Sequence, residues 1–208
     1  MKFKLVIICC IAALTMGCAA NPKKLYSKID SNQSSVMHGS PSVIANATSI
    51  PLPTTIHGVS LGRKRFDITQ EDPVIDFGIY KSNYKLFHFD LEKGDKYHIS
   101  ISSFCDCLGF DKRILVPNTY VIDSDGKTVE TTMKNKVASL GIVEFILQGE
   151  ANESGKYYLV FAANNSNPGA RIGVDEAKVN GYIPTGIILS NSSNPYGKIM
   201  PSFEIISK

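Results

Sequence analysis

The chain has no tryptophan, and among its 208 residues there are only five cysteines and four histidines. Each scarcity excludes something. Without tryptophan, any stacking against a flat ligand such as a sugar ring falls to tyrosine or phenylalanine. Charge of one sign is also lacking: 22 Lys and Arg stand against 19 Asp and Glu, which argues against the basic face of a nucleic-acid binder. No apolar run approaches the roughly 20 residues of a membrane-spanning helix. Gly-x-Ser-x-Gly is missing, and no histidine has metalloprotease spacing. The paired carboxylates Glu71-Asp72, just before Pro73, and Asp175-Glu176 fall in apparent turns. No catalytic residue, cofactor or metal is therefore expected. A hydrophobic content of 43% excludes wholesale disorder.

What is present begins with a targeting pattern. Met1-Lys2-Phe3-Lys4 leads into the apolar run from Leu5 to Leu14. A short basic head followed by about ten apolar residues is the layout of a secretory signal peptide. The run ends Thr15-Met16-Gly17-Cys18-Ala19, which resembles the lipobox of bacterial lipoproteins. Gly17 and Cys18 fit that pattern; Thr15 and Met16 are looser than the usual Leu and Ala or Ser. The resemblance implies cleavage after residue 17 and acylation of Cys18. With Ala19 rather than Asp following, it also implies a periplasmic protein anchored to the outer membrane. An ordinary signal peptide cut nearby is the alternative, and it too exports the chain. Two acyl chains already anchor stably. Without residues 1–17, Lys2 and Lys4 are lost and the positive excess of three falls to one, so no long-range steering of a charged partner is expected.

Residues 18–56 are rich in Ser and Asn, carry Pro22, Pro41, Pro51 and Pro53, and have Tyr26 as their only aromatic residue. So little apolar surface does not offset ordering entropy. The segment reads as a lipidated cysteine followed by a disordered tether, with an end-to-end distance on the order of 35 Å. A short helix over Lys23–Asp30 is the one element that fits within it.

Residues 57–208 follow a different pattern, with period 2. Phe87, Phe89 and Leu91 fall on one face of an extended segment, with Tyr84, Leu86, His88 and Asp90 on the other. Glu92-Lys93-Gly94-Asp95 supplies turn chemistry, and Tyr97, Ile99 and Ile101 then alternate with His98, Ser100 and Ser102. This predicts an antiparallel hairpin with Leu91 opposite Tyr97 and Phe89 opposite Ile99. A second hairpin is predicted where Asn118–Ile122 runs into Asp123-Ser124-Asp125-Gly126. Further strands are predicted over Val59–Ile68, Pro73–Gly78, Ile142–Leu147, Lys156–Ala163 and Lys198–Ser207. Tyr157–Ala163 is apolar on both faces and belongs in the middle of a sheet. Pro201 suits an edge or a bulge. Asp175–Val179 fits one helical turn. About seven to nine short strands and no long helix predict an all-β, antiparallel, jelly-roll-like β-sandwich.

Few residues in this domain offer chemistry. After the signal peptide and Cys18, Cys105 and Cys107 are the remaining thiols. Their Cys-x-Cys spacing reads first as a small disulfide-closed loop in an oxidising compartment. Two free thiols, a redox pair and a metal site are the alternatives, in that order. In the predicted hairpin register His98 lies opposite Asp90 and diagonal to His88, but zinc generally wants three or four ligands, so a solvated sheet face is the expectation. His38 and His57 belong to the tether or its end. Tyr182 and Tyr196 are the candidate ligand-stacking residues, with Tyr80 and Tyr84 behind them. Ser190–Gly197 reads as a polar loop. The Asn-x-Ser/Thr triplets, as at Asn46 and Asn191, are compositional.

Three segments carry a family resemblance. Ile114-Leu115-Val116-Pro117-Asn118-Thr119-Tyr120-Val121-Ile122-Asp123, then Ser154-Gly155-Lys156-Tyr157-Tyr158-Leu159-Val160-Phe161, then Tyr182-Ile183-Pro184 with Asn194-Pro195-Tyr196-Gly197, are similar in order and spacing to the bacterial maltose operon periplasmic protein family. The Phe87–Leu91 and Gly155–Tyr158 segments also resemble the prepeptidase C-terminal type of sandwich, a non-catalytic accessory domain. The resemblance implies a non-enzymatic, lipid-anchored accessory protein of carbohydrate transport, with a maltodextrin-type oligosaccharide as ligand class. It supplies no catalytic residues, and the Cys105–Cys107 segment has no counterpart in it. The competing expectation is an envelope interaction or adhesion lipoprotein that binds a protein partner.

Overall fold

Alternating side chains become strands here, and the pairing of those strands shows how they stack. In the computed structural model, which describes residues 21–32, 34–56, 59–60, 64–105, 111–139, 141–179 and 183–207, two short helices accompany seventeen strands. The N-terminal part holds α1 (Pro22–Asp30), β1 (Ser35–Met37), α2 (Ser42–Ala45), β2 (Ser49–Pro51), β3 (Thr55–Ile56) and β4 (Val59–Ser60). Then come β5 (Phe66–Ile68), β6 (Val74–Asp76), β7 (Lys81–Leu91), β8 (Lys96–Phe104), β9 (Asp111–Ile114), β10 (Pro117–Ile122) and β11 (Thr128–Val129). The chain continues through β12 (Thr132–Ser139), β13 (Ile142–Glu150), β14 (Gly155–Ala163), β15 (Arg171–Val179), β16 (Ile183–Ser193) and β17 (Gly197–Ser207).

Sheet one has the order β1-β6-β7-β14-β10-β11, with β2 also paired to β7; sheet two has the order β12-β13-β8-β17-β5. A side sheet, β15-β16-β9, and the β3-β4 pair complete the described residues. Phe87, Phe89, Leu91, Tyr157, Leu159 and Phe161 of sheet one share a buried cluster with Tyr97, Ile99, Ile101, Phe145, Leu147 and Phe203 of sheet two. The rings of Phe89 and Phe203 meet at 4.8 Å between the sheets. Along the chain the sandwich strands alternate between sheets: β5, then β6 and β7, then β8, then β10 and β11, then β12 and β13, then β14, then β17. The jelly-roll-like all-β sandwich is present, its principal strands β5, β7, β8, β10, β12, β13, β14 and β17 joined by shorter pieces. β14 lies centrally between β7 and β10, as its two apolar faces require. Gly126 closes the β10–β11 turn at φ 81°, with Asp123 Oδ1 accepting from the Asp125 and Lys127 amides, both at 2.9 Å. Pro201 lies past Ile199, where pairing with β5 ends.

Three expectations need correction. The predicted 84–91/97–102 hairpin is not one: β7 pairs with β14, β6 and β2, whereas β8 pairs with β13 and β17. Both strands turn their apolar faces into one core, as the alternation requires, but they do so from opposite sheets. The Glu92–Asp95 turn crosses between the sheets, held by Gly94 N to Ala151 O at 2.8 Å and Ala151 N to Asp95 O at 2.9 Å. Alternation determines which face is buried, and leaves open whether the facing strand is a hydrogen-bonded neighbour or lies across the core. Residues 175–179 are not a helical turn but the end of β15, paired with β16.

The third correction is the tether. From residue 21 onward the segment is folded against sheet one. Asn21 caps α1, its Oδ1 accepting from Lys23 N at 3.0 Å with Pro22 in the first turn. β1 pairs with β6, and β2 pairs with β7. Val36, Val43, Ile44 and Ala47 cover Tyr84, Leu86, Tyr120, Ile122, Val160 and Ala162 on the outer face of sheet one. The Tyr84 hydroxyl donates to the Val43 carbonyl at 2.8 Å. That face is apolar, so leaving it in water costs about 1.5–3 kcal/mol per large side chain. A few apolar residues in an otherwise polar segment suffice to cover it.

Burial pushes the Tyr84 phenol up to about 12, and burial raises Tyr97 and Tyr120 as well. An unfolded tyrosine ionises near ~10. Above that pH the unfolded chain therefore gains from ionisation while the folded phenols stay neutral. Stability is complete below pH ~10 and declines between there and about 12. Urea titrations are expected to show the midpoint falling across that window, with a smaller fall in Tyr84→Phe. The same variant should lose about 1 kcal/mol at neutral pH, because the Val43 carbonyl loses its donor. An alkaline decline that the variant leaves unchanged contradicts this placement.

Candidate binding cleft

At one end of sheet one, three polar segments converge on a cleft of about 370 Å³ lined by Lys28, Ile29, Asn32, Gln70, Glu71, Val74, Asn83 and Tyr196. Each segment is positioned by a local device. The end of α1 is held by Lys81, whose Nζ donates to the carbonyls of Asp30 at 3.2 Å and Asn32 at 2.8 Å. The turn from Thr69 to Pro73 is closed by Asp72, whose Oδ2 accepts from Thr69 N at 2.8 Å while Oδ1 meets Lys85 Nζ at 2.6 Å. Its carboxylate thus has turn and ion-pair duties, while Glu71 beside it points outward. The third segment is the Asn194–Tyr196 corner, where Asn194 Nδ2 donates to the Tyr196 carbonyl at 2.7 Å. Gly197 is required next, since a Cβ there would lie 2.9 Å from Leu115 Cβ.

Asn83 lines this cleft from within β7. It is 1% exposed, and its Nδ2 donates to the carbonyls of Asp72 and, at 3.5 Å, Gln70. That pair of acceptors fixes the amide orientation, leaving Oδ1 buried with no partner among the described residues. A buried acceptor left unpaired costs about 1–3 kcal/mol. Tyr196 packs half-buried against the edge of the core. Burial raises its phenol, and the Glu71 charge adds to the effect. Hydrogen bonds from Thr69 and Gln70 hold the exposed Glu71 carboxyl below its usual range. The walls are apolar at Ile29 and Val74, 2% and 3% exposed, and the rim carries one cation, Lys28, and one anion, Glu71.

The structure treats the other candidates differently. Tyr84 is fully buried with its hydroxyl committed to Val43. Tyr80 is 8% exposed and accepts from Asn118 Nδ2 at 2.6 Å. Neither can serve as a stacking platform. A polar depression of about 270 Å³ at the opposite end of sheet one contains Tyr157, but that ring is 4% exposed and its hydroxyl donates to the Glu153 carbonyl at 2.8 Å. The His88, Asp90 and His98 grouping is dispersed, because it needed the hairpin register. His88 Nδ1 meets Ser49 Oγ at 3.0 Å in sheet one, whereas His98 in sheet two meets the Gln148 side chain. Cys105 follows β8, half-buried, with its amide donating to the Gly141 carbonyl at 2.8 Å. Cys18, His57, Cys107 and Tyr182 lie outside the described residues. The supposed polar loop at 190–197 belongs in its first part to β16, where Ser190–Ser193 pair with β9. Of the ligand-stacking candidates, Tyr196 is the one placed in the cleft, and Glu71, read from the sequence as part of a turn, lines it too. Asn83, Lys28, Asn32 and Gln70 join it unforeseen, although asparagine in a strand interior is a local anomaly that marks position 83.

Removing the Asn83 amide tests this construction. Asn83→Ala should cost about 1–3 kcal/mol and free the Gln70 and Asp72 carbonyls. Asn83→Asp should lose more at neutral pH and recover part of the loss in acid, since only a protonated carboxyl donates to those carbonyls. Equal losses at every pH contradict the bonding. Comparison with protein-family models, with curated proteins and with solved structures returned no match.

Proposed function

We propose that this is a non-catalytic, lipid-anchored protein of the bacterial envelope whose cleft holds a small polyhydroxylated ligand, a sugar, in the service of carbohydrate uptake. The observation that carries the reading is one cleft lined both by the Tyr196 ring and by the polar side chains of Asn32, Gln70, Glu71 and Asn83. A half-buried ring offers an apolar face, and the polar side chains around it offer hydrogen bonds; sugars present both complements. Amides at Asn32 and Gln70 and the Glu71 carboxylate add exposed partners of the kind hydroxyls use. The volume, about 370 Å³, is at the small end of ligand pockets, which run ~300–1,000 Å³, and it suits one or two sugar rings. The lipobox at Cys18 supports anchoring, and the sequence resemblance supports maltodextrin-type ligands; without a family match, the weight falls on the cleft.

A second reading, an envelope lipoprotein that docks a protein partner, draws support from another place. Ile79 at the β6–β7 turn is 83% exposed and Met37 is 59% exposed, beside the ring cluster of His38, Phe77, Tyr80 and Tyr120.

A thermal-shift panel of maltodextrins and other glycans discriminates between the two. On the sugar reading, one glycan class stabilises the protein, by about 2.7 kcal/mol at a hundredfold excess over Kd. Tyr196→Ala removes the shift, whereas Tyr196→Phe keeps most of it. No shift with any glycan at millimolar concentration contradicts the reading and favours the Ile79 surface, which in-envelope crosslinking then probes.

A further inference from the structure

We infer that the outward face of α1 rests on the anionic headgroups of the bilayer that holds the acylated Cys18, so that the sandwich lies against the membrane with the cleft end down. This rests on the proposed acylation of Cys18. The first described residue, Asn21, already caps α1. From Cys18 to Asn21 the chain spans at most about 11 Å even when fully extended. That upper limit exceeds the roughly 5–7.5 Å depth of one headgroup layer, and the roughly 8 Å Debye length at physiological salt, by only a few ångströms. Folding of the segment after residue 20 therefore replaces a leash on the order of 35 Å with a direct attachment.

The face brought to the surface by that attachment is basic. α1 turns Pro22 and Ile29 inward, with Leu25 and Tyr26 half-buried, and leaves Lys23, Lys24, Ser27, Lys28 and Asp30 exposed, three cations against one anion. No acidic residue stands in its first turn. The loop after β14 reaches the start of the helix, since a Cβ on Gly169 would lie 3.8 Å from Pro22 Cβ. Two residues on, Arg171 is exposed. Four cationic side chains thus stand near the anchor in a chain whose overall charge is close to balanced. Polybasic segments beside a lipid anchor are attracted to anionic headgroups and add to acyl anchoring. The opposite end of the domain lies along β14, nine residues and about 30 Å away. There Lys127 has a side chain 76% exposed, an internal reference on the same molecule. Lys28 belongs both to the basic face and to the cleft wall, which places the cleft mouth beside the bilayer.

The test uses the full acylated chain in vesicles of phosphatidylethanolamine and phosphatidylglycerol at about 3:1, against phosphatidylcholine alone. Lysine acetylation is followed residue by residue by mass spectrometry, which also weighs the N-terminal peptide. Lys23, Lys24 and Lys28 are expected to react about fivefold more slowly in the anionic vesicles, with Lys127 unchanged. Inserting about 20 Gly/Ser residues between Ala20 and Asn21 should abolish most of that protection, because the domain then stands off. Acylated protein whose lysines react equally in both vesicles overturns the docking and leaves the anchor standing. An unmodified Cys18 in the N-terminal peptide overturns the anchor, and the docking with it.

Discussion

The outer face of sheet one carries Tyr84 and Leu86 from β7, Val160 and Ala162 from β14, and Tyr120 and Ile122 from β10, each 8% exposed or less. A sandwich whose outer faces met water would place polar residues at those positions. Here they demand a cover, and residues 22–51 supply it as a third layer. Fixing the backbone of such a segment costs roughly 1–2 kcal/mol per residue. Burying Val36, Val43 and their partners offsets part of that, and the β1–β6 and β2–β7 ladders give the polar backbone its hydrogen bonds. The layer in turn positions α1, and α1 contributes Lys28, Ile29 and Asn32 to the cleft. The candidate site and the proposed membrane face both follow from one apolar surface that could not be left wet.

Much of the sandwich was legible in the sequence. β14 reads as central because Tyr157–Ala163 is apolar on both sides, and the β10–β11 turn reads directly from Asp123-Ser124-Asp125-Gly126. Pairing was not legible. The alternation in β7 and β8 is equally consistent with a hairpin and with two strands facing each other across a core, and the choice depends on β13, β14 and β17, far along the chain. The third layer was hidden for a related reason. Ser, Asn and Pro make residues 22–56 look disordered locally, and only the outer residues of β7, β10 and β14 reveal what must be covered. Tyr84 and Leu86, sitting at positions assigned to a polar face, were the misfit that pointed there.

The cleft divides along the same line. Tyr196, an aromatic residue in a turn, is recognisable as a surface ring. Asn83 acquires its role only when β6 and β7 pair, bringing the Gln70 and Asp72 carbonyls to its amide. A polar residue that satisfies distant backbone groups has no local signature beyond its poor fit to a strand. That is why a single ring was the whole of what could be anticipated at this site.

The central claim is that residues 22–51 are a layer of the fold, and native-state hydrogen exchange tests it most directly. His38 N donates to Asp76 O at 2.9 Å and Leu52 N donates to His88 O at 2.8 Å. Both amides, one within the segment and one on the residue that follows it, tie it to strands of sheet one. If the layer is integral, they exchange only with the global unfolding of the sandwich, as slowly as the amides of β14. Exchange of both at free-chain rates while β14 stays protected would contradict it.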